Sequence, residues 1–386
     1  MTVVHRRIDS PLSNVGTSIF TVMSQLASDE GALNLAQGFP DFDAPPELID
    51  LVHFHSQKGR NQYAPSDGLP DFRVVIGKTF GEAYGKKIDP VEEVTVTSGA
   101  TEAIMAAVTA LVAPGDEVII FDPSYDSYDP LVRLNGGVPV RINLSSPNYA
   151  IDWPAFESSL GEKTKLVMIN SPHNPTGAVL SPDDLKQLDK LARRYDFFVI
   201  SDEVYHHIIF DGTEHQSVLR YPELAARSVA VFSFGKIVHA TGWKIGFAVA
   251  PAYITNEIRR VHQFLTFSVH TPTQYALTDY LKGGLDFGAL SQFFQAKRDV
   301  FLSHLKNPAF RPIMSRGTYF QLLSYDFDTP DVVIARRITK EFKLASIPIS
   351  VFYDDGTDQH VLRFCFAKED NTLIQGAEIL NGVHYE

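Results

Sequence analysis

From residue 94 to residue 250, short apolar runs alternate with helix-like segments, and this alternation restricts the fold of the chain more than any other feature. Strands are expected at residues 94–97, 117–121, 138–144, 165–170, 197–201, 229–232 and 246–250, with an alanine-rich helix at 101–112 and a helix at 182–195 capped by Ser181. Strands spaced by helices assemble into a mainly parallel sheet with helices over its faces. After about residue 292 the pattern changes to a long helix, then strands near 319–324, 345–350 and 361–367, the mark of a second, α+β domain. A chain of 386 residues, 44% hydrophobic and 21% charged, is long enough for two cores.

Composition narrows the function. A net charge of −12 with no Lys/Arg-rich block argues against a nucleic-acid partner. The single cysteine, Cys365, rules out an intrachain disulfide and reads as a core thiol. The basic pair Arg6-Arg7 has no apolar stretch after it, and no run reaches the ~18 apolar residues of a membrane span, so a cytoplasmic protein without a membrane partner is expected. Gly77-Lys78-Thr79 ends like a P-loop, but Phe72 stands where the earlier glycine is required. The adjacent His206-His207 are expected on opposite faces of a strand, and there is no His-Glu-x-x-His helix, so no metal is expected.

In an open parallel sheet, ligands bind beyond the carboxyl ends of the strands. Three polar segments leave strands there. Asn174-Pro175-Thr176-Gly177 follows the run ending at Asn170, Asp202-Glu203-Val204-Tyr205 follows the run ending at Ile200, and Ser233-Phe234-Gly235-Lys236 follows the run ending at Phe232. Lys236, next to the small Gly235, offers an amine able to bond a carbonyl, and Ser233 and Lys244 could both reach a phosphate. Ser98-Gly99-Ala100-Thr101 joins a strand end to a helix start, where free N–H groups and the helix dipole favour an anion. Taken singly, these segments read equally as a turn, an N-cap and a basic surface loop. Their convergence on one edge points to chemistry.

With these segments, the chain resembles the fold type I pyridoxal-phosphate aminotransferases of class I/II, in the branch similar to methionine and kynurenine/glutamine aminotransferases. The resemblance also rests on Asn34-Leu35-Ala36-Gln37-Gly38-Phe39-Pro40-Asp41-Phe42, Asn61-Gln62-Tyr63-Ala64-Pro65, Asp122-Pro123-Ser124-Tyr125-Asp126-Ser127-Tyr128 and Leu362-Arg363-Phe364-Cys365-Phe366. It implies a seven-stranded, mainly parallel sheet with helices on both faces in a large domain of residues 45–291. Residues 1–44 and 292–386 would form the small, discontinuous α+β domain. It implies pyridoxal 5'-phosphate as cofactor, amino acids and 2-oxo acids as substrates, and a homodimer with shared active sites.

The resemblance also assigns roles. Gly99, Ala100, Thr101, Ser233 and Lys244 would hold the phosphate, with Tyr63 reaching it from the second subunit. Tyr125 would lie on the pyridine ring, Asp202 would pair with its nitrogen, and Asn174 and Tyr205 would donate to its phenolic oxygen. Lys236 would bind the cofactor covalently and then carry the proton from the substrate Cα. Arg363 would take the substrate carboxylate with Gly38 and Asn174.

Enzymes for dicarboxylic substrates commonly add a second arginine, whereas residues 261–270 offer aromatics and none. An apolar or aromatic amino donor, methionine foremost, is therefore expected, with Phe20, Phe39, Tyr63, Tyr125 and Phe352 as possible pocket linings. Kynurenine/glutamine transamination and cysteine-S-conjugate β-elimination are the alternatives on the same scaffold. A non-enzymatic, cofactor-binding regulator is the most distant one.

Overall fold

A computed structural model describes residues 10–13 and 15–384, so Arg6-Arg7 lies outside the described residues. The large sheet contains β1 (Val94–Thr97), β2 (Glu117–Asp122), β3 (Val138–Asn143), β4 (Thr164–Asn170), β5 (Phe198–Asp202), β6 (Ser228–Ser233) and β7 (Gly246–Val249). Their spatial order is β1-β7-β6-β5-β4-β2-β3. The pairs among β2 to β6 are parallel, while β7 runs antiparallel to both β1 and β6. A parallel return needs a crossover of about a dozen or more residues, usually a full helix. Between β6 and β7 the chain has only a one-turn helix, Phe234–Ile237, and a 3-10 turn, Thr241–Trp243, so it comes back beside its own strand.

The helices are placed by local chemistry. The first that the site uses is α1 (Ile19–Glu30), followed by α2 (Gly99–Leu111), α3 (Pro182–Tyr195) and α4 (Phe287–His304). Helix α3 starts with a reciprocal capping box between Ser181 and Asp184, and it buries Leu185, Leu188, Leu191 and Ala192 at helical spacing. Helix α2 buries Ala103, Ala106 and Ala107, whose small side chains let its backbone approach the sheet. Behind β6 and β7, Phe80, Phe232 and Phe247 pack with ring centroids 4.7 to 5.0 Å apart. Each such burial contributes roughly 1.5–3 kcal/mol to holding these two strands together.

A smaller antiparallel sheet follows, with β8 (Phe310–Ile313), β9 (Phe320–Tyr325), β10 (Ile347–Pro348) and β11 (Val361–Cys365) in the order β10-β11-β9-β8. Strand β8 has no clear sequence signal because it contains Pro312, which is tolerated there on a sheet edge. The single strand expected at 345–350 is two short ones. Leu344–Ala345 pairs in parallel with Leu33–Asn34, while Ile347–Pro348 pairs with β11. The N-terminal segment is thereby tied to the C-terminal part of the chain. His206 and His207 sit in the turn after β5, not on a strand, because the chain folds back through His206 N–H to Glu203 O and Ile208 N–H to Tyr205 O bonds.

Candidate active site

The register of the sheet brings the strand ends level. Asn170 pairs with Asp202, Asp202 with Val231, and Ser233 with Gly246. Beyond them lies a cavity of about 140 Å³ lined by Gly99, Ala100, Thr101, Tyr125, Asn174, Asp202, Tyr205, Ser233, Lys236 and Lys244. These segments are far apart in sequence, and the fold brings all of them to one place.

The cavity has an anion end. Among the described residues Ser98 makes no side-chain cap bond, so the first N–H groups of α2 are not taken up by its hydroxyl. Gly99 has φ +75°, and a Cβ on it would stand 3.3 Å from Lys244 Nζ. Backbone donors, an ammonium and the Ser233 hydroxyl thus share one corner, the donor set a phosphate monoester requires. Gly99→Ala combines backbone strain with a tight contact on Lys244. We expect at least a tenfold loss of affinity for a phosphate monoester with the fold retained, read by equilibrium titration.

Lys236 lies on the one-turn helix after β6. Gly235 is required there by close packing, since a Cβ would meet Thr241 Cα at 3.0 Å and Ala240 O at 3.1 Å. Lys236 Nζ donates to Tyr319 Oη at 2.6 Å, and desolvation pulls its amine down to about 8. An amine so poised is partly neutral near physiological pH and can act as nucleophile or base.

Asp202 accepts a 2.7 Å hydrogen bond from Tyr128 Oη and a 3.2 Å bond from Val204 N–H. Burial nevertheless pushes its carboxyl up to about 6. Between its ordinary value of 3.8 and about 6 the folded chain keeps a proton that the unfolded chain has lost, so stability falls as pH rises through that window. For the cofactor-free protein the fall amounts to roughly 3 kcal/mol. Denaturation between pH 4 and 7 should show it in the wild type and not in Asp202→Asn.

Asn170 ties the centre together: its Oδ1 accepts Asn174 N–H at 2.7 Å and its Nδ2 donates to Asp202 O at 2.8 Å. Asn174 Oδ1 in turn accepts from Arg363 Nη1 at 2.8 Å, and Arg363 Nη2 donates to Ala36 O at 3.1 Å. The guanidinium is fully buried, 3.9 Å from the Phe320 ring centroid and 5.0 Å from that of Phe20, with Phe352 at 5.6 Å. Burial lowers it to about 10, so it stays charged at neutral pH. Among the described residues its Nε has no hydrogen-bond partner, which leaves a buried charged donor for an anion.

Three expected residues are not part of the cavity lining: Arg363, which reaches it through Asn174, and Gly38 and Tyr63. The Gly38 carbonyl accepts from Tyr319 Oη, and a Cβ on Gly38 would meet the Phe320 ring at 2.8 Å. Tyr63 is 81% exposed and packs edge-on against Phe267 at 5.3 Å. Of the expected pocket aromatics, Phe20 and Phe352 flank Arg363, Tyr125 lines the cavity, and Phe39 is largely exposed.

Tyr128, Asn170 and Tyr319 escaped the sequence reading. Asn170 had a signal, as a polar residue ending an apolar strand at the ligand edge, whereas Tyr319 had none. Cys365 is buried, and burial raises its thiol pKa, as suits a core residue. His206 and His207 are buried and held neutral, His207 at about 3, and no cluster of metal-ligating side chains exists among the described residues.

A mainly parallel sheet that presents a lysine, a carboxylate, an anion-binding helix end and a caged arginine at one edge is the layout expected of a fold type I aminotransferase. The chain belongs to the family "Aminotransferase class I and II", matched over residues 30–380, and is a pyridoxal-phosphate-dependent transaminase. It is 46% identical to methionine aminotransferase of Escherichia coli (strain K12), over 96% of this chain and 97% of that protein. It is 33% identical to kynurenine–oxoglutarate transaminase 3 of Mus musculus, over 95% of this chain and 88% of that one. The solved structure of Escherichia coli YbdL, described as having a methionine aminotransferase function, superposes with a TM-score of 0.96 at 46% identity, covering 98% of this chain and 100% of that chain.

Proposed function

We propose that the enzyme moves the amino group of an apolar L-amino acid, methionine foremost, to a 2-oxo acid in a ping-pong cycle. The observation that carries this reading is the carboxylate site. Arg363 is a fully buried cation caged by Phe20, Phe320 and Phe352, and residues 261–270 supply no second arginine for a distal charge. The similarity to methionine aminotransferase over nearly the whole chain supports the same choice.

Bound pyridoxal phosphate would supply an aldehyde for the amino group and a ring able to accept an electron pair from the substrate Cα. The residues present fit it. Gly99, Ala100, Thr101, Ser233 and Lys244 would hold the phosphate, Tyr125 the ring face, and Asp202 the ring nitrogen. A cation on that nitrogen offsets the cost of burying the Asp202 charge, while Tyr128 holds the carboxylate in place. Asn174 and Tyr205 would donate to the phenolic oxygen.

Arg363, oriented by Asn174 and Ala36, would grip the substrate carboxylate in a fork, with the Gly38 N–H beside it. Lys236 would then act twice, first as the covalent anchor and then as the base that takes the proton from Cα and returns it on the cofactor side. Tyr319, within hydrogen-bond distance of Lys236 Nζ, positions that amine.

The same reading places the large domain at 45–291 and the small domain at 1–44 and 292–386, although α4 begins at Phe287, before that join. It also includes a cytoplasmic homodimer. No helix among the described residues is long and apolar enough to cross a membrane. Tyr63 and Phe267, both exposed and packed together, offer an aromatic surface suited to a second subunit. Tyr63→Ala is expected to weaken cofactor binding about tenfold while leaving the dimer intact, tested by titration and sedimentation.

Similarity to a kynurenine transaminase favours L-kynurenine as a second donor. A hydrophobic pocket separates such substrates by only about 1–3 kcal/mol. Steady-state kinetics with L-methionine, L-kynurenine and L-aspartate should rank them in that order by kcat/KM. Aspartate in first place would overturn the proposed specificity.

A further inference from the structure

A second cavity of about 700 Å³ opens between the two sheets, and Lys236 is not part of its lining. Its size falls within the range of small-molecule sites. The large sheet contributes Phe121 and Met168, the loop after β3 contributes Leu144, and the smaller sheet contributes Ile313. The lining mixes these apolar side chains with uncharged polar ones such as Ser146, Asn148 and Thr176, and carries few charges. Asp184 is already satisfied, since its Oδ1 accepts from Trp153 Nε1 at 2.9 Å and its Oδ2 from the Ser181 N–H and hydroxyl at 2.8 and 2.7 Å.

Arg316 is different. It lines the cavity from an exposed position, and although its charge acts on Asp211, among the described residues its guanidinium makes no hydrogen bond or close ion pair. Its backbone is fixed by the Arg316 N–H bond to Gly177 O at 3.0 Å, so the side chain starts from an anchored point. A guanidinium fork with no carboxylate within hydrogen-bond distance, beside a cavity that has an apolar wall of Phe121, Leu144 and Met168, suits a ligand with one carboxylate and an apolar body. Asp184, facing the same space, disfavours a second negative charge.

We propose that this cavity binds a small amphipathic monocarboxylate, its carboxylate on Arg316 and its apolar end against Phe121, Leu144 and Met168. Asn170 lines both cavities, and Tyr128, which also lines this one, donates to Asp202. A ligand here would touch two of the side chains that position Asp202 and Asn174.

The test is calorimetric titration of 4-phenylbutyrate into the pyridoxal-phosphate-loaded enzyme and three variants. Binding should persist in Arg363→Lys, where the substrate's own carboxylate site is impaired. It should weaken about tenfold in Arg316→Gln and vanish in Val179→Trp, which fills the cavity. Arg316→Gln and Val179→Trp should still transaminate, which shows that they fold. The neutral 4-phenylbutyramide should bind wild type and Arg316→Gln alike. No binding to the wild type would overturn the proposal. So would binding that is lost in Arg363→Lys and indifferent to Arg316→Gln and Val179→Trp, since the probe would then occupy the substrate site.

Discussion

Lys236→Ala is expected to lower turnover by about 10⁴-fold and to abolish the visible absorption band of lysine-bound cofactor. The same change should make the cofactor-free protein more stable, because the folded chain holds this amine below its ordinary value of 10.5, at about 8. Between those values the unfolded chain keeps a proton that the folded chain has given up, so wild-type stability rises with pH across the window. Below pH 8 the wild type bears the full cost of a desolvated ammonium, roughly 3 kcal/mol. Denaturation of cofactor-free wild type and variant between pH 7 and 10.5 reads this directly. The wild type should gain stability with pH, and the variant should lack that gain. Loss of activity with an unchanged pH slope would mean that Lys236 is not the desolvated amine described here.

Arg363→Lys should reduce kcat/KM for the amino donor by about 10²–10³-fold, chiefly through KM. A lysine keeps the charge but cannot span Asn174 Oδ1, Ala36 O and a substrate carboxylate at once. Truncating one partner of a buried, hydrogen-bonded ion pair costs about 2–5 kcal/mol, and the conservative change should fall near the middle of that range. The cofactor band should remain, which separates a failure to bind substrate from a failure to load. Equal losses in kcat and kcat/KM would assign Arg363 to the transition state alone rather than to substrate binding.

Much of the site was legible because it sits at strand ends. Asn174, Asp202, Ser233 and Lys236 each follow an apolar run, and parallel strands end on one edge whatever their spatial order. Gly99 through Thr101 were legible because a strand running into a helix leaves N–H groups unsatisfied. The sense of β7 was less open to inspection, since it depends on a connection too short for a crossover helix. The division of residues 345–350 was hidden as well, because two partners 310 or more residues and 14 or more residues away compete for one apolar stretch.

Local chemistry alone determined the order of elements, the helix caps, and the strand-end positions of the lysine and the carboxylate. Periodicity and capping act over a few residues and survive without the rest of the chain. Only the tertiary structure decided that Tyr128 would hold Asp202, that Tyr319 would bridge Lys236 and Gly38, and that Arg363 would meet Asn174 from 189 residues away. Those partners are selected by packing. A buried charge must find whichever donors, acceptors and ring faces the folded layers bring within reach, and no local pattern encodes which ones those are.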